Sequence, residues 1–354
     1  MLENVQKIYQ ALEDDISRKI FMAQLSFSVT GDVSFIRELP MNYRNLSADI
    51  VLFNKKINEH GNARLVIFGA GANGVDLVKG YKNLDFFCFV DNYKQEKEEF
   101  VTGLPIYSFF EYKEKFGVKN TIFIVSVYRK DFVMEIFSQL TKNGVSRENI
   151  LYIADWRNNA SQYFDVFVPH EHETFVDCGC YDGSTAFRFA GWCAEREGTY
   201  DKIWCFEPDE KSYERCNRIL RSLDKCFLYP YGVADKNKEV LFMANGRENA
   251  RILETDKVVS SMRKIKVKCL DEFLANERVT FIKMDVEGGE YKALEGAKAL
   301  IKEQKPRLAI SVYHRWDDII RIPELILSLE SDYRFYIRHY SLLPNEIVLY
   351  AECR

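Results

Sequence analysis

An acidic, glycine-bearing run at residues 175–185, Phe-Val-Asp-Cys-Gly-Cys-Tyr-Asp-Gly-Ser-Thr, joins an apolar strand pattern to a helix start. No other stretch constrains the fold as much. A strand–loop–helix junction of this kind is the edge at which a parallel α/β sheet receives a ligand. Gly179 and Gly183 lack a Cβ, so a ligand can lie against the backbone, and the N–H groups of the helix opening near Ser184 face the same crevice. Asp177 adds a carboxylate at the strand end. The next apolar run, residues 202–206, ends at Glu207, which sets a second carboxylate where a cofactor ribose would sit.

A third block lies at residues 281–290, Phe-Ile-Lys-Met-Asp-Val-Glu-Gly-Gly-Glu, followed by Ala293-Leu294-Glu295-Gly296-Ala297, then Lys305-Pro306-Arg307 and the Tyr313-His314 pair. Asp177 and Glu207 at consecutive strand ends resemble the class I S-adenosylmethionine-dependent methyltransferases, and the third block resembles the signature of their FkbM family. The resemblance spans about residues 170–354 and rests on four separated motifs in order. It implies S-adenosyl-L-methionine held by Asp177, Gly179, Asp182, Gly183, Thr185, Glu207, Asp235 and Asp285, with a carbohydrate or glycosylated metabolite as methyl acceptor. Asp182 stands where the family often carries Asn, and for Asp235 an ordinary turn role is an equal alternative to an adenine contact.

At 354 residues two domains are expected, and 47% hydrophobic residues are enough for each to bury a core. No apolar run approaches the roughly 20 residues of a membrane span, and the N-terminus has neither the basic nor the apolar region of a signal peptide, so a cytoplasmic protein is expected. A net charge of -4 argues against nucleic acid as partner. Nine cysteines without zinc-ribbon spacing are expected to be reduced packing residues.

Three regions are expected. Residues 1–60 form a helical segment whose apolar stripe over 3–28 packs within the chain or serves an oligomer contact. Residues 61–155 form a small Rossmann-like domain, with Gly69, Gly71 and Gly74 in a GxGxxG loop and Asp91 ending the second strand. This region resembles the N-terminal nucleotide-sugar-binding domains of sugar acetyltransferases. Residues 156–354, entered through a polar linker, alternate strands with helices and close on two strands, 333–339 and 347–351, joined too tightly for a crossover. The fold class is thus α/β: a class I methyltransferase Rossmann-like sheet with a C-terminal antiparallel hairpin, preceded by a smaller Rossmann-like domain.

His314 follows the strand expected over 308–312 and is the preferred general base, with Asp285 beside the transferred methyl. Glu287 and Glu290 admit three roles: binding acceptor hydroxyls, coordinating Mg2+, or favouring the helix start at Gly288. The metal is the least favoured of these. His339 is a substrate contact or a structural histidine, and His170 and His172 are surface linker positions. The expected activity is S-adenosylmethionine-dependent O-methylation. Its rivals are an NAD-dependent sugar-modifying oxidoreductase with Asp91 on the ribose and a non-catalytic sugar-nucleotide-binding protein.

Overall fold

Short runs of β-branched and aromatic residues become the strands of the computed structural model, which describes residues 2–39, 43, 53, 55–57, 59–81, 84–94, 100–127, 130–152, 161–243, 251–253, 262–341 and 344–354. The chain divides into two units, Leu46–Asn158 and a larger one made of Met1–Asn45 with Asn159–Arg354. The larger unit begins with helices α1 (Leu2–Ala11) and α2 (Asp15–Thr30). Most of the helical region expected over 33–58 lies outside the described residues.

In the smaller unit, strands β1 (Arg64–Phe68), β2 (Phe86–Val90), β3 (Phe100–Val101), β4 (Leu104–Tyr107), β5 (Thr121–Val125) and β6 (Ile150–Tyr152) form one sheet in the order β3-β4-β2-β1-β5-β6. All neighbours are parallel except the β3–β4 hairpin. Helix α3 (Ala72–Gly80) leaves β1 through the glycine loop. All five residues of β5 are buried, as a strand covered on both faces requires.

The larger unit holds β7 (Glu173–Cys178), β8 (Tyr200–Phe206), β9 (Cys226–Tyr229), β10 (Gly232–Val233), β11 (Lys238–Met243), β12 (Arg251–Leu253), β13 (Met262–Lys268), β14 (Phe281–Met284), β15 (Arg307–Ser311), β16 (Tyr333–His339) and β17 (Ile347–Cys353). Seven of these form the sheet β16-β17-β15-β14-β7-β8-β9. β7, β8, β9, β14 and β15 run parallel, while β17 pairs antiparallel with both β15 and β16. The chain winds outward from β7 to β9, then returns to lay β14 on the other side of β7. That reversal makes a topological switch point at the carboxyl ends of β7 and β14, where α/β sheets bind ligands.

A second sheet, β10-β13-β11-β12, is inserted between β9 and β14. It went unexpected, although Lys264, Ile265, Lys266, Val267 and Lys268 alternate polar and apolar, and Ile265 and Val267 are buried while Lys264 and Lys266 are exposed.

The single amphipathic helix expected over 3–28 is two helices. Leu12 forms a parallel bridge to Phe335 of the edge strand β16, and the Glu13 N–H donates to the Phe335 carbonyl at 2.9 Å. Asp14 then caps α2 by accepting from the Ser17 N–H at 2.7 Å. Ile8, Leu12, Ile20 and Phe21 join the core cluster on one sheet face, so the apolar stripe is spent within the unit. Its bridge covers an edge that would otherwise be open to pairing.

Candidate active site

Gly179 follows β7 at φ +77, and a Cβ there would run into the backbone carbonyl of Asp285 at the end of β14. Only glycine lets the two strand ends meet. The Asp285 N–H completes the junction by donating to the Cys178 carbonyl at 3.1 Å. Gly183, at φ +84, opens helix α4 (Ser184–Glu195) without a side-chain cap, and Asp182 Oδ1 accepts from the Ser184 N–H at 2.9 Å. Asp182 therefore shapes the loop. Thr185, in the first turn of α4, is buried and accepts from Arg188 Nη2 at 3.3 Å.

Asp177 is fully buried, and Lys283 Nζ stands 3.0 Å from its Oδ1. Burial pushes the Asp177 pKa up while Lys283 opposes it. For Lys283 burial works against the charge, but Asp177 and Asp285 outweigh it and hold the ammonium protonated. Lys283 Nζ also donates to the Gly179 carbonyl at 2.7 Å. Asp177 thus acts through Lys283 on the loop and presents no carboxylate of its own to the crevice. Lys283 itself was not singled out from the sequence, though an isolated lysine inside the apolar pattern Phe281-Ile282-Lys283-Met284 signals a buried charge that needs a partner.

Glu207, at the end of β8, accepts the Tyr181 N–H at 2.9 Å on one oxygen and the Asp209 N–H at 2.8 Å on the other. Its pKa is pushed up to about 7, because burial outweighs these two hydrogen bonds. Each oxygen keeps lone-pair capacity, so an incoming pair of hydroxyl donors fits it.

Asp285, Glu287, Glu290 and His314 converge beyond β14 and β15. His314 Nε2 is 3.5 Å from Asp285 Oδ1 and 3.6 Å from Glu287 Oε2, while Nδ1 is 2.9 Å from Glu290 Oε1. Glu290 is fully buried, and its Oε1 also accepts the Val286 N–H at 2.8 Å. Burial lowers the His314 pKa, but Glu290, Asp285 and Glu287 outweigh it and raise it to about 10. The histidine expected as a free base is therefore an imidazolium when only these groups surround it. The Glu287 pKa rises to about 8, through burial first, with His314 opposing.

Tyr163 belongs to this cluster too, its hydroxyl donating to Asp285 Oδ2 at 2.8 Å. The sequence placed it in a polar linker, but the aromatic run Tyr163, Phe164 and Phe167 is buried and marks a packed segment. Other expected residues lie elsewhere. Asp235 pairs with Lys238 Nζ at 2.8 Å, a bond that lowers its pKa. His339 is fully buried in β16, and exposed His172 faces Asp201.

In the smaller unit a cleft of ≈ 340 Å³ is lined by Gly69, Gly71, Asn73, Asp91, Ser126 and neighbours. Asp91 Oδ2 accepts the Ala70 N–H at 2.9 Å and Oδ1 accepts the Tyr93 N–H at 2.8 Å. A Cβ on Gly74 would strike the Gly69 carbonyl. The carboxylate expected on a cofactor ribose thus holds its own loop, and each of its oxygens, like those of Glu207, keeps a lone pair.

Residues 177–335 match the family model described as Methyltransferase FkbM domain. The 2-O-methyltransferase NoeI of Sinorhizobium fredii is 24% identical over 149 residues, covering 37% of this chain and 59% of that protein. The match thus spans less than two thirds of that curated relative. The crystal structure of methyltransferase FkbM from Methylobacillus flagellatus aligns with 94% of this chain and 98% of its own at 20% identity and a TM-score of 0.51, a likeness of fold.

Proposed function

We propose that this chain, an FkbM-family methyltransferase by its match over residues 177–335, transfers a methyl group from S-adenosyl-L-methionine to a carbohydrate hydroxyl. The supporting observation is the meeting of two strand ends, where the Gly179–Gly183 loop abuts Asp285 within the acidic cluster around His314. When bound, S-adenosylmethionine supplies an electrophilic methyl on a cationic sulfonium. Glu207 accepts from the ribose hydroxyls, while Gly179 and Gly183 give the loop its left-handed turns and let it pack against Asp285 and Leu220. The carboxylate of Asp285 stands where it favours positive charge at the crevice.

A sugar hydroxyl attacks well only as its proton leaves, and general-base assistance is typically worth ~10²–10⁴-fold. The carboxylates beside His314, Asp285 and Glu287, are the acceptors for that proton, because the histidine is itself an imidazolium. The carbohydrate follows from the family resemblance and from the printed name of the NoeI relative, a 2-O-methyltransferase. No helix among the described residues is long and apolar enough to cross a membrane. The test is mass spectrometry of a panel of small glycans and nucleotide sugars incubated with the full chain and S-adenosylmethionine. Addition of one methyl group is expected, and an unmodified panel with S-adenosylmethionine intact argues against the reading.

A further inference from the structure

We propose that Asp285 Oδ1, Glu287 Oε2 and His314 Nε2 form a binding site for a divalent transition-metal cation at the mouth of the crevice. The three donor groups lie within 4.8 Å of one another. Nε2 stands 3.5 Å and 3.6 Å from the two carboxylate oxygens, and neither it nor Asp285 Oδ1 makes a hydrogen bond. Those separations are long for N–H···O bonds. Two donors each about 2.0–2.2 Å from one ion stand about 2.8–3.6 Å apart, depending on the angle at the metal.

A second observation points the same way. The His314 side chain is only 9% exposed, and Glu290, fully buried and tied to the Val286 N–H, faces its Nδ1 at 2.9 Å. The Glu290 carboxylate beside one ring nitrogen leaves the other to face outward, as in carboxylate–histidine–metal arrangements. Here the outward nitrogen is the one facing Asp285 and Glu287. One imidazole with two carboxylates suits Mn2+ or Zn2+ better than Mg2+, which favours all-oxygen sites. Asp285 and Glu287 remain 23% and 28% exposed, which leaves the ion room for an acceptor oxygen. That last step rests on the proposed methyl transfer, and a bound cation there would lower the acceptor's pKa.

The test uses the full chain stripped with chelator, titrated separately with Mn2+, followed by electron paramagnetic resonance of the free ion, and with Zn2+ against a chromophoric competitor. One equivalent of at least one ion should bind. Glu290→Gln should weaken binding by ~10–100-fold through the lost orientation of His314, and His314→Gln at least as much. Glu287→Gln, at a partly exposed position, is the variant that keeps the fold should the buried ones fail, and it should weaken binding too. Binding of neither ion, or binding that the folded variants retain unchanged, overturns the site. Full methyl transfer by the chelated chain with no ion bound removes the cation and leaves the proposed function standing. One bound ion without methyl transfer to any acceptor removes the proposed function and leaves the site.

Discussion

Lys283 Nζ lies 3.0 Å from Asp177 Oδ1, with side chains 3% and 0% exposed, so the crevice floor is an ion pair linking β14 to β7. Through its 2.7 Å bond to the Gly179 carbonyl, the same ammonium holds the glycine loop in place. Removing one member leaves the other charged and buried, a worse state than removing both.

Lys283→Met should therefore destabilise the larger unit by about 3–5 kcal/mol. The double variant Asp177→Asn with Lys283→Met should recover a large part of that loss. Urea unfolding of both variants measures it, and a double variant no more stable than the single one refutes the pairing argument.

Much of this site was legible because strand periodicity and loop glycines are local signals. Residues 175–185, Glu207, Asp285 and His314 all fall at strand ends of one sheet edge, as their spacing suggested. What escaped were pairings across long sequence separations. Lys283 reaches a residue on another strand, Tyr163 reaches Asp285, and Leu12 bridges to Phe335. Nor does a sequence show that Asp91 bonds its own loop through both oxygens, or that three carboxylates surround one histidine.

The N-terminal helices bear on how the larger unit is dissected. Arg338 Nη2 bonds Asp14 Oδ2 at 2.6 Å, and the Ile337 N–H donates to Ser17 Oγ at 2.8 Å. A fragment beginning at residue 160 would strip these partners from β16. It should melt well below the full chain in calorimetry, and Asp14→Ala in the full chain should cost about 1–3 kcal/mol, as a lost cap plus a charged hydrogen bond does. An equally stable fragment refutes the docking of α1 and α2.

Glu207 makes stability and cofactor affinity respond oppositely to pH. Its pKa in the fold, about 7, lies above the ordinary 4.5, so the folded state holds this proton more tightly than the unfolded chain. The stabilisation is complete below about 4.5 and is lost as pH rises through about 7, up to about 3 kcal/mol in all. Glu207→Gln should flatten that part of the stability profile of the ligand-free protein. S-adenosylhomocysteine affinity of the parent should instead rise through the same window, as the ionised carboxylate accepts the ribose hydroxyls. At pH 8 the Gln variant should bind about 1.5–3 kcal/mol more weakly. Calorimetric titration at pH 5.5 and 8 checks both signs, and unchanged affinity in the folded variant removes Glu207 from the site.

We propose that the glycine loop of the smaller unit serves no redox cofactor, because methyl transfer from the domain matched at residues 177–335 requires none. NADH added to the full chain should show neither fluorescence enhancement nor oxidation with any sugar substrate of the panel. Tight binding with substrate-dependent oxidation would restore the oxidoreductase reading.

Tyr163 offers a way to separate chemistry from cofactor binding. Its hydroxyl donates to Asp285 Oδ2 at 2.8 Å, and its pKa is driven well up by burial and then by Asp285 and Glu346, so the phenol stays a donor at any working pH. Tyr163→Phe keeps the ring and removes only that bond, leaving Asp285 less firmly oriented toward the crevice and the His314 cluster. A lost hydrogen bond to a charged group is worth about 1.5–3 kcal/mol, which as a loss of transition-state stabilisation lowers kcat by ~10–100-fold. S-adenosylhomocysteine affinity should change little, since Glu207 and the glycine loop are untouched. Single-turnover methyl transfer at saturating cofactor is the deciding measurement. If the variant instead loses cofactor affinity at unchanged kcat, Asp285 serves the cofactor alone and the proton is taken elsewhere in the cluster.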